Sequence, residues 1–156
     1  MADQDVLIRP DQFGVYDLQI DGADFASAGG FETSIPVSLF TDARAPANLV
    51  QDPARRRGWV GNLLGDLERE LGGLLWTFEQ SRLTTSTLNE IRVAALDSLR
   101  WMIEDGAARE IDVQVEQPTT RGVRVSIRIT GLDNDVNEFS VLWRRTITAN
   151  MTTVQG

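Results

Sequence analysis

The chain has 156 residues and a net charge of −8, and it contains no histidine and no cysteine. The absence of these residues excludes Ser-His-Asp and Cys-His catalysis, zinc sites built on their side chains, and a disulfide framework. The acidic balance disfavours nucleic acid as a partner, and no apolar run approaches the roughly 18 residues of a membrane span. The length predicts one domain over residues 1–156.

The N-terminal third predicts a strand or hairpin, then a short helix, then a loop. Residues 6–8 and 15–20 are apolar or alternating and are separated by turn residues. Residues 31–41 predict a short helix with Pro36 in or near its first turn, where the missing N–H costs little. Residues 42–62 predict a long exposed loop, which at this length indicates a functional or disordered segment.

The middle of the chain predicts two longer helices. Leucine and phenylalanine recur at helical spacing over 63–80, but the Gly72-Gly73 pair weakens the centre, so we predict a helix over about 73–80. The second helix is predicted over about 86–104. Residues 84–87 (Thr-Thr-Ser-Thr) supply N-cap candidates for it, and Thr87 with Glu90 has the spacing of a capping box. Gly106 stops the helix.

After the second helix the period of the apolar residues changes from 3.6 to 2. Residues 111–116 and 123–130 alternate and predict a hairpin closed by a turn at 118–122. The predicted register places Glu116 opposite Arg124 and Asp112 opposite Arg128. Matching charges on one face and apolar residues on the other support this register independently.

A third strand is predicted at about 136–148, followed by a polar tail at about 149–156. The predicted fold class is therefore α+β. It consists of an N-terminal strand or hairpin, a short helix, a long loop, and two helices packed on a C-terminal three-stranded antiparallel meander.

Carboxylates are the remaining candidates for chemistry. Glu68 with Glu70, or Glu104 with Asp105, could form the acid pair of a peptidoglycan glycosidase. Neighbouring helical positions do not face each other, and nothing in the sequence marks a sugar cleft, so solvated surface is the preferred interpretation. The N-terminal aspartates lack the spacing of a calcium loop. We therefore predict no catalytic, metal-binding or cofactor-binding residue.

Two segments are candidates for binding another protein. The first is the run Arg55-Arg56-Arg57-Gly58-Trp59, since Arg and Trp are favoured interface anchors, although a solvated loop with Trp59 in the core is equally compatible. The second is the third strand, which could be an edge that accepts a foreign strand, or an edge protected by Arg144 and Arg145. The predicted partner-binding residues are Asp42, Arg44, Arg56, Arg57, Gly58, Trp59, Arg109, Phe139, Ser140, Val141, Leu142, Trp143 and Arg144.

Several segments together resemble a known family. They are residues 30–45, 56–62 (Arg-Arg-Gly-Trp-Val-Gly-Asn), 74–76 (Leu-Leu-Trp) and 99–106. In this order they resemble the baseplate wedge family of Mu-like contractile phages, over roughly residues 5–145. That family is similar to the broader sheath-initiator group of contractile tails, some of whose distant relatives carry a lysozyme label.

The resemblance implies an α+β fold without catalysis or cofactor, in a virion component of the tail baseplate assembled in the host cytoplasm. It implies six copies around the tail axis, with the wedge proteins and the tail sheath protein as partners, and tube or hub proteins as further candidates. It also implies that the C-terminal sheet, here the third strand, imitates the strand-exchanging part of a sheath subunit. The broader group's Glu-Pro-Arg wedge contact is replaced by residues 104–109. Arg109 stands where that arginine would, but the proline is missing. A generic assembly adaptor is the remaining alternative.

Overall fold

The computed structural model describes residues 5–10, 16–21, 24–25, 27–28, 31–65, 69–120, 122–144 and 148–154. The N-terminal part is a ribbon of three short antiparallel pairs, and the hairpin predicted there is confirmed. Its strands are β1 (Asp5–Val6) with β6 (Ser27–Ala28), β2 (Ile8–Pro10) with β3 (Tyr16–Leu18), and β4 (Ile20–Asp21) with β5 (Asp24–Phe25). Thr33 ties this ribbon to the rest of the fold, because its hydroxyl accepts from the Ile8 N–H and donates to the Val6 carbonyl.

The short helix predicted after the ribbon is confirmed as α1 (Ser34–Phe40). Pro36 lies in its first turn, where no intrahelical donor is required. Ile35 and Leu39, four residues apart, are both buried and face the core.

The predicted loop over 42–62 is mostly exposed and contains one turn of 3₁₀-helix (Pro53–Arg55), and α2 (Gly61–Leu64) begins at its end. The helix predicted over 73–80 is shorter than expected, a 3₁₀-helix at Leu75–Phe78. Gly72 has a φ of +111°, outside the right-handed helical region. Gly73 donates to the Thr41 carbonyl and accepts from the Ala43 N–H, so the helix begins only after Gly73.

The second predicted helix is confirmed as α3 (Thr85–Leu99), extended after Arg100 by α4 (Trp101–Glu104). Its N-cap is Thr84, one of the predicted candidates, rather than Thr87. The Thr84 hydroxyl accepts from the Thr87 N–H at 3.2 Å, while the Glu90 carboxylate accepts from the Ser86 hydroxyl. The cap therefore sits three residues earlier than the proposed capping box.

The C-terminal sheet has the strand order β10-β9-β8-β7. Its strands are β7 (Glu110–Thr119), β8 (Gly122–Thr130), β9 (Val136–Arg144) and β10 (Thr148–Val154). The three predicted strands and the register that places Glu116 opposite Arg124 are confirmed, but the third strand ends at Arg144 and Thr148 already belongs to β10. Beyond Glu116 the register shifts, and Thr119 pairs with Gly122, so the turn is tighter than predicted.

The prediction of a polar tail at 149–156 is wrong for residues 149–154, which belong to β10. This strand pairs antiparallel with β9, with Met151 opposite Val141 and Thr152 opposite Ser140. Strand pairing uses backbone hydrogen bonds and does not require alternating apolar residues. The polar sequence of residues 149–154 therefore gave no signal of a strand. As a result β9 is paired on both sides and is not an edge of the described sheet.

The core lies between the helices and one face of the sheet. α3 packs against β7, and α1 and the second 3₁₀-helix pack against α3. The central buried residues are Ile35, Leu39, Leu75, Ile91, Ala95, Leu99, Met102, Val113, Val125, Ile127, Ile129 and Phe139. The fold is thus a two-layer α+β arrangement that leaves the other face of the sheet to solvent. Among the helices of the described residues, none is both long and apolar enough to cross a bilayer.

Candidate partner-binding surfaces

Arg57 is the centre of the long loop. Its guanidinium donates to both carboxylate oxygens of Glu79, at 2.8 and 3.0 Å, and to Asp42 at 3.2 Å. Its guanidinium carbon also lies 4.8 Å from the centroid of the Trp76 ring, a cation–π distance. The hydrogen bond to Glu79 raises the pKa of Arg57 above its usual value.

The other predicted arginines of this segment also bond within the chain. Arg56 donates to the carbonyls of Val50 and Gln51. Arg44 donates to the carbonyls of Pro53 and Arg57. Backbone bonds add to these, from Ala45 N–H to the Arg56 carbonyl and from Trp59 N–H to the Asp42 carbonyl. The segment is therefore held as a defined surface.

The segment around Gly73 pairs with the start of the loop, where Gly73 and Asp42 form a parallel bridge. The Gly73 N–H donates to the Thr41 carbonyl at 2.9 Å, and Ala43 N–H donates to the Gly73 carbonyl at 3.0 Å. A Cβ on Gly72 would lie 2.4 Å from the Thr41 oxygen. A Cβ on Gly73 would lie 2.0 Å from the Ser98 hydroxyl oxygen. Thr41 therefore accounts for the first glycine of the pair and Ser98 for the second.

Next to Arg57 the loop presents an apolar ridge, defined by Trp59, Val60, Leu63 and Leu64. Their exposed fractions rise from 42% at Trp59 to 81% at Leu64. The Trp59 indole lies over Gly61, where a Cβ would come within 2.2 Å of the ring. Trp59 is thus outside the core, and its role in binding a partner stays a prediction.

The apolar ridge has a rigid base. The Asn62 side chain donates to the Leu71 carbonyl at 2.9 Å and accepts from the Leu71 N–H at 3.0 Å. This reciprocal pair fixes α2 to the segment before Gly72. The apolar side chains are therefore presented from a held backbone.

The predicted binding residues of the third strand divide between the two faces of the sheet. Phe139 and Val141 are buried in the core, whereas Ser140 and Leu142 are half-buried on the other face. Trp143 and Arg144 belong to β9, and their side chains lie outside the described part. Partner binding by this strand stays a prediction.

The polar face of the sheet is a shallow hollow of about 790 Å³. Its charges alternate in sign from strand to strand. β7 supplies Asp112 and Glu116, β8 supplies Arg124 and Arg128, and β9 supplies Glu138. Arg124 binds Glu116 at 2.8 Å and Arg128 binds Glu138 at 2.5 Å.

Arg109 lies far along the chain from the loop and supports the turn between β8 and β9. Its guanidinium donates to the Asn134 side chain at 2.7 Å, and its N–H donates to the Thr130 carbonyl at 2.8 Å. Asn134 has a φ of +62°, which this contact helps to hold. Whether Arg109 also contacts a wedge protein stays a prediction.

Of the candidate acid pairs, the described members Glu70, Glu104 and Asp105 are all exposed. Glu68 lies outside the described residues, and Glu104 is exposed on α4. Asp105 is ion-paired with Arg69, whose guanidinium lies over the Trp101 ring. Within the described ranges, no group of three or more acidic side chains comes together as a possible metal site.

Comparison with known proteins identifies a family. The model of the family described as phage protein GP46 matches residues 31–137. The chain is 32% identical over 122 residues to baseplate protein gp46 of Escherichia phage Mu, covering 77% of this chain and 83% of that protein. It is 29% identical over 85 residues to the Mu-like prophage FluMu protein gp46 of Haemophilus influenzae, covering 54% and 56%.

Proposed function

The chain belongs to the phage protein GP46 family, and we propose that it is a structural subunit of a phage baseplate that joins the wedge to the first sheath ring. In this proposal six copies surround the tail axis of the virion. Each copy presents its C-terminal sheet to the sheath protein and its loop surface to the wedge. The chain assembles in the host cytoplasm and catalyses no reaction.

The observation that carries the proposal is the four-stranded sheet, which packs on helices through one face. Among the described residues, its two outer strands, β7 and β10, pair with a neighbouring strand on one side only. A sheath segment that pairs with such an edge through backbone hydrogen bonds would start the first ring in one register. The edge of β9 is covered by β10, so an added strand lies beside β7 or β10, or replaces β10. The pairing of β10 with β9 therefore changes which edge accepts the added strand, while strand addition itself remains part of the proposal.

The loop surface supports the contact with the wedge. Arg44, Arg56 and Arg57 hold the loop by bonds within the chain, and the apolar ridge projects beside them. An exposed cluster of large apolar side chains on a held backbone is typical of a protein interface. Trp59 is the anchor we expect at its centre, because Trp is enriched among residues that dominate binding.

Removal of this chain from tail assembly tests the proposal. The remaining tail proteins of its own genome are co-expressed with and without the chain, and the particles are imaged by electron microscopy. We expect tubes that lack sheath, and restoration of sheath when the chain is supplied again. Full-length sheaths of normal number in its absence would overturn the proposal, and loss of peptidoglycan turbidity on adding the purified chain would support the glycosidase alternative.

A further inference from the structure

We propose that the outer edge of β7 is the site of strand addition, and that it receives an extended segment with basic residues at positions i and i+4 and apolar residues between them. This inference rests on the proposed strand addition and names both the edge and the chemistry of the added strand. The carrying observations are the open edge of β7, its row of carboxylates, and the charge alternation across the sheet.

The edge of β7 is long and open. The strand spans ten residues, and no strand pairs with its outer side in the described sheet. Its register with β8 is continuous from Glu110 to Glu116, and Pro118 and the register shift lie beyond that segment, at the hairpin end. Edge strands are normally protected by prolines, bulges, short length or charged side chains, and residues 110–116 have only the last of these. Their carboxylates disfavour pairing with an acidic strand and leave a basic strand as the partner.

The charge of the β7 side chains determines which kind of strand can pair with this edge. The solvent face of β7 carries Glu110, Asp112 and Glu116 and no basic residue. Two copies paired through β7 would bring carboxylates together, which is destabilising, so a second copy of the chain is disfavoured. A basic strand has no such penalty.

Residues that lie opposite one another on neighbouring strands form a row across the sheet. These rows indicate where the basic residues of the added strand would lie. Asp112, Arg128 and Glu138 lie opposite one another, so the sign alternates from strand to strand. A strand beside β7 continues this alternation only with Arg or Lys in that row, and likewise in the row of Glu116. The two rows are four residues apart, about 13 Å along an extended chain.

The other face adds the apolar requirement. Val113 is buried in the core and Val115 is half-buried at its margin. The added strand places its residues i+1 and i+3 next to these positions and extends the apolar layer. β10, which forms the opposite edge, carries no charged residue over 148–154 and therefore no comparable selection.

Charge reversal on β7 tests the inference in assembled particles. The test variant is Asp112→Arg with Glu116→Arg, and the control is Glu90→Arg with Asp97→Arg on the exposed side of α3. Both change the net charge equally, and both break one exposed ion pair, Glu116–Arg124 or Arg100–Asp97. We expect the test variant to lower the number of sheathed tails at least tenfold, with the control close to the unaltered chain. Equal numbers for the two would overturn the inference.

The number of sheathed tails could also fall because the charge-reversal variant misfolds. A labelling experiment distinguishes misfolding from loss of strand addition. Since the chain has no cysteine, Gln114→Cys creates a single thiol on β7. We expect a maleimide to modify it rapidly in the isolated chain and at least tenfold more slowly in assembled tails. Unchanged reactivity in tails that carry sheath would overturn the β7 site and leave the proposed function standing, whereas sheaths formed without the chain would overturn the proposed function itself.

Discussion

Arg57 contacts side chains from two separate segments, Asp42 on one side of the loop and Glu79 with Trp76 on the other. Its own carbonyl accepts from Arg44, so one residue joins both ends of the exposed segment. The pairs are close to half-exposed, so each contributes only a fraction of what a buried ion pair would. Their combined effect is nevertheless expected to be measurable.

Replacing Arg57 with alanine should lower the free energy of unfolding by about 1 kcal/mol, because two partly screened ion pairs and one cation–π contact are lost. Arg55→Ala is the matched control, and it should change that free energy by less than about 0.5 kcal/mol. Urea unfolding followed by circular dichroism measures both. Equal losses in the two variants would contradict the central position of Arg57.

Gly72 is the second residue on which the loop depends, since it adjoins the bridge between Gly73 and Asp42. Gly72→Ala should lower the free energy of unfolding by roughly 2 kcal/mol or more, since it adds strain at a positive φ and a backbone clash with Thr41. At Gly131 the nearest atom to an added Cβ lies 3.7 Å away, so Gly131→Ala is the control and should be tolerated. Similar thermal midpoints for both variants would show that this bridged segment is not rigid.

Among the elements, α3 tests how the helix begins. Thr84→Ala should lower the free energy of unfolding by about 1 kcal/mol because it removes the acceptor for the Thr87 N–H. Glu90→Ala should have little effect, since its carboxylate contacts only the Ser86 hydroxyl among the described bonds. A larger loss at Glu90 than at Thr84 in urea unfolding would restore the capping box predicted from the sequence.

The β7–β8 hairpin and α3 could be predicted because their patterns are local and redundant. In the hairpin, opposite charges and apolar residues specify the same register, so Glu116 and Arg124 could be paired from the sequence alone. β10 could not be predicted, because Thr, Ala and Asn at 148–150 carry no alternation and the strand is defined by backbone pairing with β9. The 3₁₀-helix at Leu75–Phe78 was predicted too long because the Gly73 backbone bonds to Thr41 and Ala43, which are distant in sequence.

β10 itself offers an element-scale prediction. A chain ending after Arg144 should remain folded, because the buried cluster lies in the helices and in β7, β8 and β9. Circular dichroism and urea unfolding of the shortened chain measure this. Loss of the circular dichroism signal on truncation would instead show that β10 is needed for the fold.

At the scale of the whole molecule, the binding surfaces could be located only in part from the sequence. The loop run at 55–59 was found, but the assignment of Arg56 and Arg57 as docking residues did not anticipate that both bond within the chain. The neighbouring ridge at Leu63 and Leu64 was missed, because a leucine pattern normally indicates core. Whether a leucine side chain is exposed depends on how segments distant in sequence pack around it. The spacing of apolar residues along the chain gives no information on that packing.

The two surfaces come from different parts of the chain, which suits a joining subunit. The apolar ridge is formed by residues 59–64, and the polar face of the sheet is formed by β7, β8 and β9. The most direct test is a cryo-electron microscopy reconstruction of intact tails from the phage that encodes this chain. We predict six copies at the baseplate end of the sheath, each with a basic, extended sheath segment paired along the outer edge of β7. A reconstruction in which the chain is absent, or in which the first sheath ring makes no contact with its C-terminal sheet, would contradict the account.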